Sequence, residues 1–344
     1  MHAAVLHAPG DIRIEKVDRP EISGLGQVLL RVEACGVCGS DIPRMMLKGA
    51  HKMPLIPGHE FSGTVIDAST DVDSVSVGDL VTVPPLIPCR NCDSCKESRY
   101  GLCENYDYFG SRRNGAYAQF VIAPASNVLK VPPALNPVAA AMIDPAAIAL
   151  HALAKTKLDA TSTVVVIGAG PIGLFAVQWA KLAGVSLIVA IDVSPETLDL
   201  ALEAGASEVY ASASEALAVH KNGFSIAFEG AGVAATENAA IELCGRGGEA
   251  VFVGIPSKDV PIQVGIFSHF LRNEVSLHGS WNSFSAPWPG SAWHKSVRML
   301  NEGLLRWEFM VTHELSLDEL PEMFVKLANR TEPSSKVIFR PNPN

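Results

Sequence analysis

The sequence lacks an excess of positive charge. Aspartate and glutamate (36 residues) outnumber lysine and arginine (27 residues), so the formal net charge is −9 at pH 7. Nucleic acids and acidic membrane surfaces carry dense negative charge, and a protein that binds them needs a clustered basic face. The composition therefore argues against a nucleic-acid partner and against a membrane partner.

Long uninterrupted apolar runs are also missing. The most apolar stretches, 138–154 and 164–191, are broken by charged residues, prolines or glycines, and residues 1–10 lack the pattern of a signal peptide. We therefore expect no membrane span and a cytoplasmic protein. With 344 residues, of which 48% are hydrophobic and 18% charged, the chain can form large buried cores, and its length suggests two domains.

The chain has an odd number of cysteines, seven, which fits a framework of disulfides poorly in the absence of an export signal. Four of them follow the spacing Cys89-x2-Cys92-x2-Cys95-x7-Cys103. Four thiolates match the tetrahedral coordination of zinc, and a complete set without an open position is typical of a structural site. The pattern predicts a structural zinc lobe at residues 89–103, with disulfides or unligated thiols as the alternatives.

The pattern of apolar residues changes along the chain. Up to about residue 130, short β-branched runs alternate with Gly, Pro, Asp and Ser, which is typical of an all-β region. From about residue 145, short apolar strands alternate with helical segments, and this alternation predicts a parallel sheet with covered faces. The predicted fold class is α/β, with a β-rich domain followed by a doubly wound domain.

A glycine-rich motif stands between a predicted strand and a predicted helix. The strand 163–167 runs into Gly168-Ala169-Gly170-Pro171-Ile172-Gly173, and Asp192 ends the next strand. Such glycines let a pyrophosphate approach the helix N-terminus, while an acidic residue about 20 positions later accepts hydrogen bonds from the ribose hydroxyls. Asp192 would repel a 2′-phosphate, so the motif favours NAD over NADP. The alternative is a glycine turn with an aspartate that caps the following helix.

A second group of metal-binding residue types is dispersed. Cys38 lies in the segment Cys35–Asp41, and His59-Glu60 follows in Pro57–Phe61. A thiolate, an imidazole and a carboxylate could hold zinc and leave a position for a substrate oxygen. The spacing alone also fits a buried cysteine with a core histidine, or a redox pair of Cys35 with Cys38.

Taken together, these motifs resemble the zinc-dependent medium-chain dehydrogenase/reductase family over essentially the whole chain, and within it the polyol branch. The resemblance implies a GroES-like catalytic domain (1–145 and 290–344) and an NAD-binding Rossmann domain (146–289). It also implies a homodimer or homotetramer. The local carriers of the polyol resemblance are Cys38–Arg44, Gly49-Ala50-His51, Phe109–Arg113, Gly279-Ser280-Trp281 and Pro287–Gly290.

Residue by residue, the resemblance makes Cys38 and His59 ligands of a catalytic zinc, with Glu60 as the carboxylate beside the metal. Asp144 falls where these relatives usually have glutamate, which departs from the family pattern because aspartate is one methylene shorter. It could ligate directly or through water. Ser40 matches the hydroxyl that takes the proton of the alcohol. The expected cofactors are two zinc ions, one catalytic and one structural, and NAD.

The resemblance implies oxidation of a secondary hydroxyl of a sugar alcohol or sugar-alcohol phosphate by hydride transfer to NAD. Guanidinium groups suit a phosphate, and Trp281 could wall the pocket, although scattered basic residues and aromatic packing have simpler explanations. The alternatives are an unphosphorylated hexitol or L-threonine as substrate, and a non-catalytic protein that binds zinc and NAD. Candidate residues near the substrate are His51, Arg44, Arg112, Arg113 and Trp281.

Overall fold

The computed structural model describes residues 1–342, which divide into two compact units. The first unit comprises Met1–Asp144, Phe284–Glu302 and the described chain from Val311 onward. The second comprises Pro145–Ser283 and Gly303–Met310. The two-domain boundaries at 145/146 and 289/290 remain a prediction.

The strands are short in the first unit and regular in the second. Because β-branched and apolar residues fill most of them, their side chains pack into the sheets. In chain order they are β1 (His2–Ala8), β2 (Asp11–Lys16), β3 (Gln27–Gly36), β4 (Glu60–Ala68), β5 (Leu80–Thr82), β6 (Leu86–Ile87), β7 (Asp107–Tyr108), β8 (Phe120–Pro124), β9 (Leu129–Lys130), β10 (Thr163–Ile167), β11 (Leu187–Ile191), β12 (Glu208–Tyr210), β13 (Phe224–Glu229), β14 (Cys244–Phe252), β15 (Ser276–Gly279), β16 (Val311–Leu315) and β17 (Lys336–Phe339).

The longer helices belong to the alternating part of the chain. Several begin with proline in the first turn, where its missing N–H costs nothing. They are α1 (Asp41–Pro43), α2 (Asp93–Lys96), α3 (Pro137–Ala141), α4 (Ile143–Leu153), α5 (Pro171–Leu182), α6 (Pro195–Ala204), α7 (Ala213–Val219), α8 (Ala234–Glu242), α9 (Val264–Arg272), α10 (Ser291–Asn301) and α11 (Leu320–Asn329), with a π-helix at Arg44–Lys48 and 3₁₀ turns at Tyr100–Leu102, Ala125–Asn127, Glu308–Met310 and Leu317–Glu319.

The first unit is built on a seven-stranded sheet. Its strand order is β16-β17-β3-β4-β5-β9, with β8 also paired to β3, and a separate hairpin joins β1 to β2. Strand β17 comes from the end of the chain, yet it pairs with β3 so that Phe339 lies opposite Cys35. The aromatic rings of Tyr117, Phe324 and Phe339 pack together beneath this pairing. The C-terminal segment therefore completes the sheet that carries Cys35 and its neighbours.

The second unit is a six-stranded sheet in the order β12-β11-β10-β13-β14-β15. All of its pairings are parallel. The central strands β10, β11 and β13 are mostly buried, which explains their continuous apolar sequence. The chain reverses its direction of winding between β10 and β13, so ligands of such a sheet bind at the carboxyl ends of these two strands. The doubly wound parallel sheet predicted from the sequence is confirmed.

Among residues 1–342, every helix is too short or too polar to span a bilayer.

Candidate active site

The four-cysteine lobe forms a compact group of sulfur atoms. The Sγ atoms of Cys89, Cys92, Cys95 and Cys103 all lie within 4.8 Å of one another, and none of these thiols is in a disulfide. The Cys92 and Cys103 sulfurs are 3.9 Å apart. Tetrahedral zinc with Zn–S bonds of about 2.3 Å requires sulfur–sulfur separations of about 3.8 Å. The residues present therefore fit a zinc ion.

Backbone groups prepare the lobe for a cation. The N–H groups of Asn91 and Cys92 lower the pKa of Cys89 to about 6, so this thiol ionises near neutral pH. Burial raises the pKa of Cys95 to about 12, because a thiolate there would lose hydration. A divalent cation would reverse that penalty, since bound thiols give up their protons. The set has no position left for a substrate, which is the pattern of a structural site.

Strand pairing brings the dispersed residues together. Cys38 follows the end of β3 and Glu60 begins β4, and the antiparallel register places Gly36 opposite Glu60. Ligand atoms of Cys38, His59 and Glu60 therefore lie within 4.8 Å of one another. His59 and Glu60 are buried, whereas Cys38 is partly exposed. A thiolate, an imidazole and a carboxylate with one accessible side fit a zinc ion that keeps an open position.

Glycine at position 58 is required to turn the chain into His59. Its φ is +93°, a region that other residues rarely adopt. A Cβ atom on Gly58 would also lie 2.9 Å from the Cys35 sulfur and from the Tyr117 ring. Gly110 packs against Gly58 in turn, because a Cβ there would lie 2.7 Å from the Gly58 nitrogen. The loop at 109–113 is thereby held beside the loop that carries His59.

Asp41 is a buried residue for which the sequence analysis assigned no role. Its carboxylate lies 3.2 Å from Nδ1 of His59 and accepts a hydrogen bond of 3.2 Å from the backbone N–H of Cys38. It also pairs with Arg44 and accepts from the hydroxyl of Tyr117 at 3.3 Å. A carboxylate behind a histidine fixes the ring and leaves its other nitrogen for a metal. The spacing Cys38-x-x-Asp41 was the available signal.

The Asp41–His59 pair holds its charges in spite of burial. Burial alone would raise the pKa of Asp41, but the charge and hydrogen bond of His59 and the charge of Arg44 bring it down to about 2. Burial would lower the pKa of His59, yet Asp41 and Cys38 raise it well above the usual value. An imidazole must be neutral to ligate, so a metal ion would displace this proton.

Glu60 is neutralised by Lys336, a residue that no motif indicated. The two side chains are almost fully buried and form an ion pair, and the Lys336 ammonium also donates to the Val37 carbonyl at 3.0 Å. Lys336 lies 276 residues away from Glu60 and arrives on β17. Gly36 makes room for the pair, since a Cβ there would lie 2.6 Å from the lysine chain. No local spacing could have revealed this contact.

Asp144 lies beside the cluster but outside the group of atoms within 4.8 Å. It is buried in the first turn of α4, and its Oδ1 has no hydrogen-bond partner among residues 1–342. Burial and the charge of Glu60 raise its pKa to about 7, while His59 and Lys336 oppose this increase. An orphaned buried carboxylate oxygen beside a ligand cluster fits a nearby cation. Its direct ligation remains a prediction.

The predicted substrate residues have different surroundings. Ser40 donates from its hydroxyl to the Cys38 sulfur at 3.3 Å, so it lies at the cluster. Arg44 is engaged by Asp41. Arg113 lies 3.6 Å from a carboxylate oxygen of Asp107, in a partly exposed ion pair.

Arg112 is the predicted arginine with the most available guanidinium. It packs over the Tyr106 ring at 4.5 Å, and it forms no ion pair with a carboxylate in the described part of the chain. Its backbone N–H donates to the carbonyl of Tyr108, whose ring lies 5.6 Å from that of His59. His51 is exposed, and its backbone N–H binds the same loop at the Ser111 carbonyl.

Trp281 belongs to the second unit and is half exposed. Because the metal residues belong to the first unit, its role toward the substrate remains a prediction. Trp288, in the first unit, instead packs against Phe284 and Tyr100 and donates to the Ser126 carbonyl at 2.9 Å.

The glycine turn of the second unit has the geometry that its sequence predicts. Gly168 has a φ of +85°, and a Cβ on Gly173 would lie 2.1 Å from the Gly168 oxygen. A Cβ on Gly170 would meet no atom within 4 Å, so open space lies in front of the N-terminus of α5. The free N–H groups and dipole of this twelve-residue helix favour a phosphate there.

Asp192 follows β11 and faces the same turn. One carboxylate oxygen accepts a hydrogen bond of 2.8 Å from the Ala169 N–H, and the other accepts one of 3.0 Å from the Ser194 N–H. The carboxylate is thus fixed beside the glycine turn at the switch point of the sheet. These residues fit a nicotinamide dinucleotide, whose ribose hydroxyls need an acceptor at this place.

Comparison with known proteins covers both units. Residues 24–133 match the family described as the alcohol dehydrogenase GroES-like domain, and residues 171–298 match the zinc-binding dehydrogenase family. The chain is 33% identical to galactitol 1-phosphate 5-dehydrogenase of Escherichia coli K12, over 99% of this chain and 100% of the relative. It is 32% identical to sorbitol dehydrogenase of Bacillus subtilis, over 99% of this chain and 98% of the relative.

Solved structures agree with these matches. Galactitol-1-phosphate dehydrogenase from Escherichia coli aligns with a TM-score of 0.94 and 34% identity, over 99% of this chain and 100% of that one. A zinc-binding dehydrogenase from Sinorhizobium meliloti bound to NADP has a TM-score of 0.89 and 29% identity, with 99% of each chain covered. An alcohol dehydrogenase from Escherichia coli CFT073 with NADH has a TM-score of 0.88 and 25% identity, with 99% of each chain covered. The protein belongs to the zinc-dependent medium-chain dehydrogenase/reductase family and is an alcohol dehydrogenase with a GroES-like and a Rossmann part, a zinc requirement and a nicotinamide cofactor.

Proposed function

We propose that the enzyme oxidises a secondary hydroxyl of a sugar alcohol or sugar-alcohol phosphate and passes the hydride to NAD. The observation that carries the proposal is the buried group of Cys38, His59 and Glu60, which strand pairing assembles with one accessible side. Relatives that act on galactitol 1-phosphate and sorbitol match the whole chain and supply the substrate class.

The residues of the chain have distinct tasks in this reaction. A zinc ion held by Cys38 and His59 would stabilise the negative charge that develops on the substrate oxygen. Asp41 orients the His59 ring, and Ser40, whose hydroxyl lies 3.3 Å from the Cys38 sulfur, is placed to take the hydroxyl proton. Lys336 balances the charge of Glu60, so that this carboxylate stays ionised in a dry site.

We assign phosphate recognition to Arg112. Arg44 and Arg113 already face the carboxylates of Asp41 and Asp107, whereas Arg112 has only the Tyr106 ring against its guanidinium. A planar guanidinium can bind a phosphate through two parallel hydrogen bonds. Its loop contacts the loop of His59 through Gly110 and Gly58, which brings the phosphate-binding group near the metal residues.

NAD is proposed over NADP because of Asp192. The carboxylate is fixed by the N–H groups of Ala169 and Ser194, so it cannot turn away from a 2′-phosphate. We expect Asp192→Ala to reduce the preference for NAD, measured as the ratio of kcat/KM for the two cofactors. An unchanged ratio would remove this role from Asp192.

The second candidate substrate is an unphosphorylated hexitol. It is favoured by the 32% identity to a sorbitol dehydrogenase over 99% of this chain. A substrate without a phosphate would not need the guanidinium of Arg112. The two substrates therefore make different demands on one residue.

The decisive experiment is a screen of hexitols and hexitol phosphates with NAD, followed by the absorbance of the reduced cofactor. We expect oxidation of a hexitol phosphate, and Arg112→Met to raise its KM by roughly tenfold or more, the loss of a charge-assisted hydrogen bond. Lys96→Met, at an exposed position of the cysteine lobe, is the control. Oxidation of free hexitols without sensitivity to Arg112 would favour the second candidate. Turnover of other secondary alcohols but of no polyol would refute the polyol assignment.

We propose a homodimer or homotetramer that associates through the second unit. Strand β15 is the edge of the six-stranded sheet, and the side chains of Val264, Phe267 and Leu271 on α9 are at least half exposed. An open edge and an apolar face invite a second copy of the same chain. Light scattering should give a dimer or larger species, and Phe267→Asp should shift it toward the monomer. A wild-type monomer would contradict the proposal.

A cytoplasmic location is proposed from the chemistry of the thiols. All seven cysteines are free, and five of them belong to groups that need thiolates to hold a metal. Reducing compartments preserve such thiols. Fractionation of cells that express the protein should recover it with cytoplasmic markers, and recovery outside the cytoplasm would contradict this proposal.

A further inference from the structure

Glu229 is a fully buried carboxylate without a role in the mechanism above. It ends β13, and it forms no ion pair with a lysine, arginine or histidine in the described chain. Its Oε1 accepts hydrogen bonds from the N–H groups of Ala231 at 2.9 Å and Gly232 at 2.8 Å, and from the Thr236 hydroxyl at 2.7 Å. Because a buried carboxylate without a cation is costly, three converging donors indicate a specific arrangement.

The other oxygen of Glu229 faces the loop after β14. Oε2 is buried without a hydrogen-bond partner in the described chain, and a Cβ on Gly254 would lie 2.6 Å from it. The same added Cβ would lie 2.2 Å from the Gly232 nitrogen. The Glu229 carbonyl also accepts from the N–H groups of Val253 and Gly254, at 2.9 and 3.2 Å. Glu229 therefore joins the loop after β13 to the loop after β14.

The glycine turn packs against the same assembly. A Cβ on Gly168 would lie 2.9 Å from Ala231, and the Gly230 N–H donates to the Ile167 carbonyl at 2.9 Å. The loops after β10 and β13 lie on either side of the switch point, where a doubly wound sheet binds its ligand. The hydrogen bonds of Glu229 thus reach the loops on both sides of the cofactor crevice.

We propose that Glu229 is a positioning residue for the nicotinamide dinucleotide. Its carboxylate holds residues 230–232 and 253–255 against the glycine turn, so that the binding surface exists before the cofactor arrives. A preformed surface costs less ordering entropy on binding and so gives higher affinity. The inference rests on the nicotinamide cofactor of the proposed function and adds a residue that does not touch the glycine motif.

The test is calorimetric titration of NADH into the intact protein and its Glu229→Gln variant. Gln keeps one acceptor oxygen but loses the charge that strengthens its three hydrogen bonds. We expect the Kd of NADH and the KM of NAD to rise together by roughly tenfold, with kcat at saturating NAD within about twofold of the wild type. Thr236→Val, which removes one donor, should weaken NADH binding in the same direction by a smaller factor.

The matched control is Glu249→Gln on the neighbouring strand. Glu249 is also a buried carboxylate of this sheet, bound to His278 at 2.8 Å, but it lies opposite Ile226, away from the carboxyl end of β13. It should lower the Tm without changing the Kd of NADH. An unchanged Kd in Glu229→Gln, or an equal loss in Glu249→Gln, would overturn the inference alone. Absence of NADH binding by the wild type would overturn the cofactor assignment and the inference with it.

Discussion

The two zinc-binding groups of this enzyme are assembled in different ways. The cysteines of the lobe come from one short segment, residues 89–103, without any long strand between them. Cys38, His59 and Glu60 meet only because β3 pairs with β4, and Lys336 joins them on β17. The first group is a local property of the chain, and the second is a property of the completed sheet. The activity depends on the group that folding has to assemble.

The surroundings of the two groups differ as well. Around the lobe, the ion pairs Lys96–Asp93 and Arg99–Glu97 are largely exposed to solvent. At the second group, Asp41, His59, Glu60 and Lys336 are at most 3% exposed. Charges interact more strongly away from water, which is why pKa values shift most there. A local metal site can tolerate water, whereas a catalytic one gains its chemistry from exclusion of water.

The largest expected effect separates the two groups by activity. Cys38→Ser removes a ligand of the accessible group and should lower kcat/KM by at least about a thousandfold, since the metal supplies several kcal/mol of charge stabilisation. Cys95→Ser in the lobe should lower the Tm but keep kcat of the folded protein within about tenfold. Turnover and elemental zinc content are measured for both variants.

Metal content gives the control for this pair. The wild type should hold two zinc ions per chain, and each variant should lose one of them. If Cys38→Ser keeps more than about one hundredth of the activity, the accessible group is not the catalytic centre. If Cys95→Ser abolishes turnover in a folded protein, the lobe is more than structural.

The next effect concerns the buried ion pair of the second group. Lys336→Met leaves the Glu60 carboxylate buried without its cation, and we expect a loss of about 3–5 kcal/mol in the free energy of unfolding. The additional change Glu60→Gln should recover much of this loss, because it removes the unpaired charge. Urea denaturation measures all three proteins.

An exposed lysine provides the matched control. Lys326 pairs with Glu322 at 3.0 Å, with exposures of 41% and 75%, so Lys326→Met should cost less than about 1 kcal/mol. Equal losses for Lys326→Met and Lys336→Met would show that burial of the pair has no special weight.

What the sequence could predict follows the same division. The cysteine spacing, the glycine turn and Asp192 are local signals, and the family comparisons and the parallel sheet confirm the fold that they predicted. The resemblance alone joined Cys38 to His59. Lys336 and Glu229 could not be found, because neither stands in a motif and their contacts depend on strand register. Likewise, spacing could not show that Arg44 is occupied by Asp41.

A smaller effect is expected at the edge of the second group. Asp144 lies outside the atoms within 4.8 Å but interacts electrostatically with Glu60 and His59. Asp144→Asn removes its charge at constant size and should lower the affinity for one of two zinc ions by about 10–100-fold, as for groups that support a ligand. Competition with a chelator measures this. Asp144→Glu should retain the affinity if direct ligation is the role, and an unchanged affinity in Asp144→Asn would exclude any role toward the metal.

The smallest effect tests burial at a histidine that belongs to neither group. His151 lies in the last turn of α4, the helix that begins beside Asp144, and burial followed by the charge of Lys155 lowers its pKa to about 4. Between pH 6.5 and about 4 the unfolded chain binds a proton that the folded chain does not. The stability from neutral His151 is therefore present above pH 6.5 and is lost as the pH falls through this window. His151→Gln should flatten the acid side of a plot of unfolding free energy against pH, whereas His2→Gln, at an exposed position, should leave that slope in place. Equal slopes in all three proteins would show that burial on α4 has no bearing on acid stability, and that the shifts at the second group come from its charges alone.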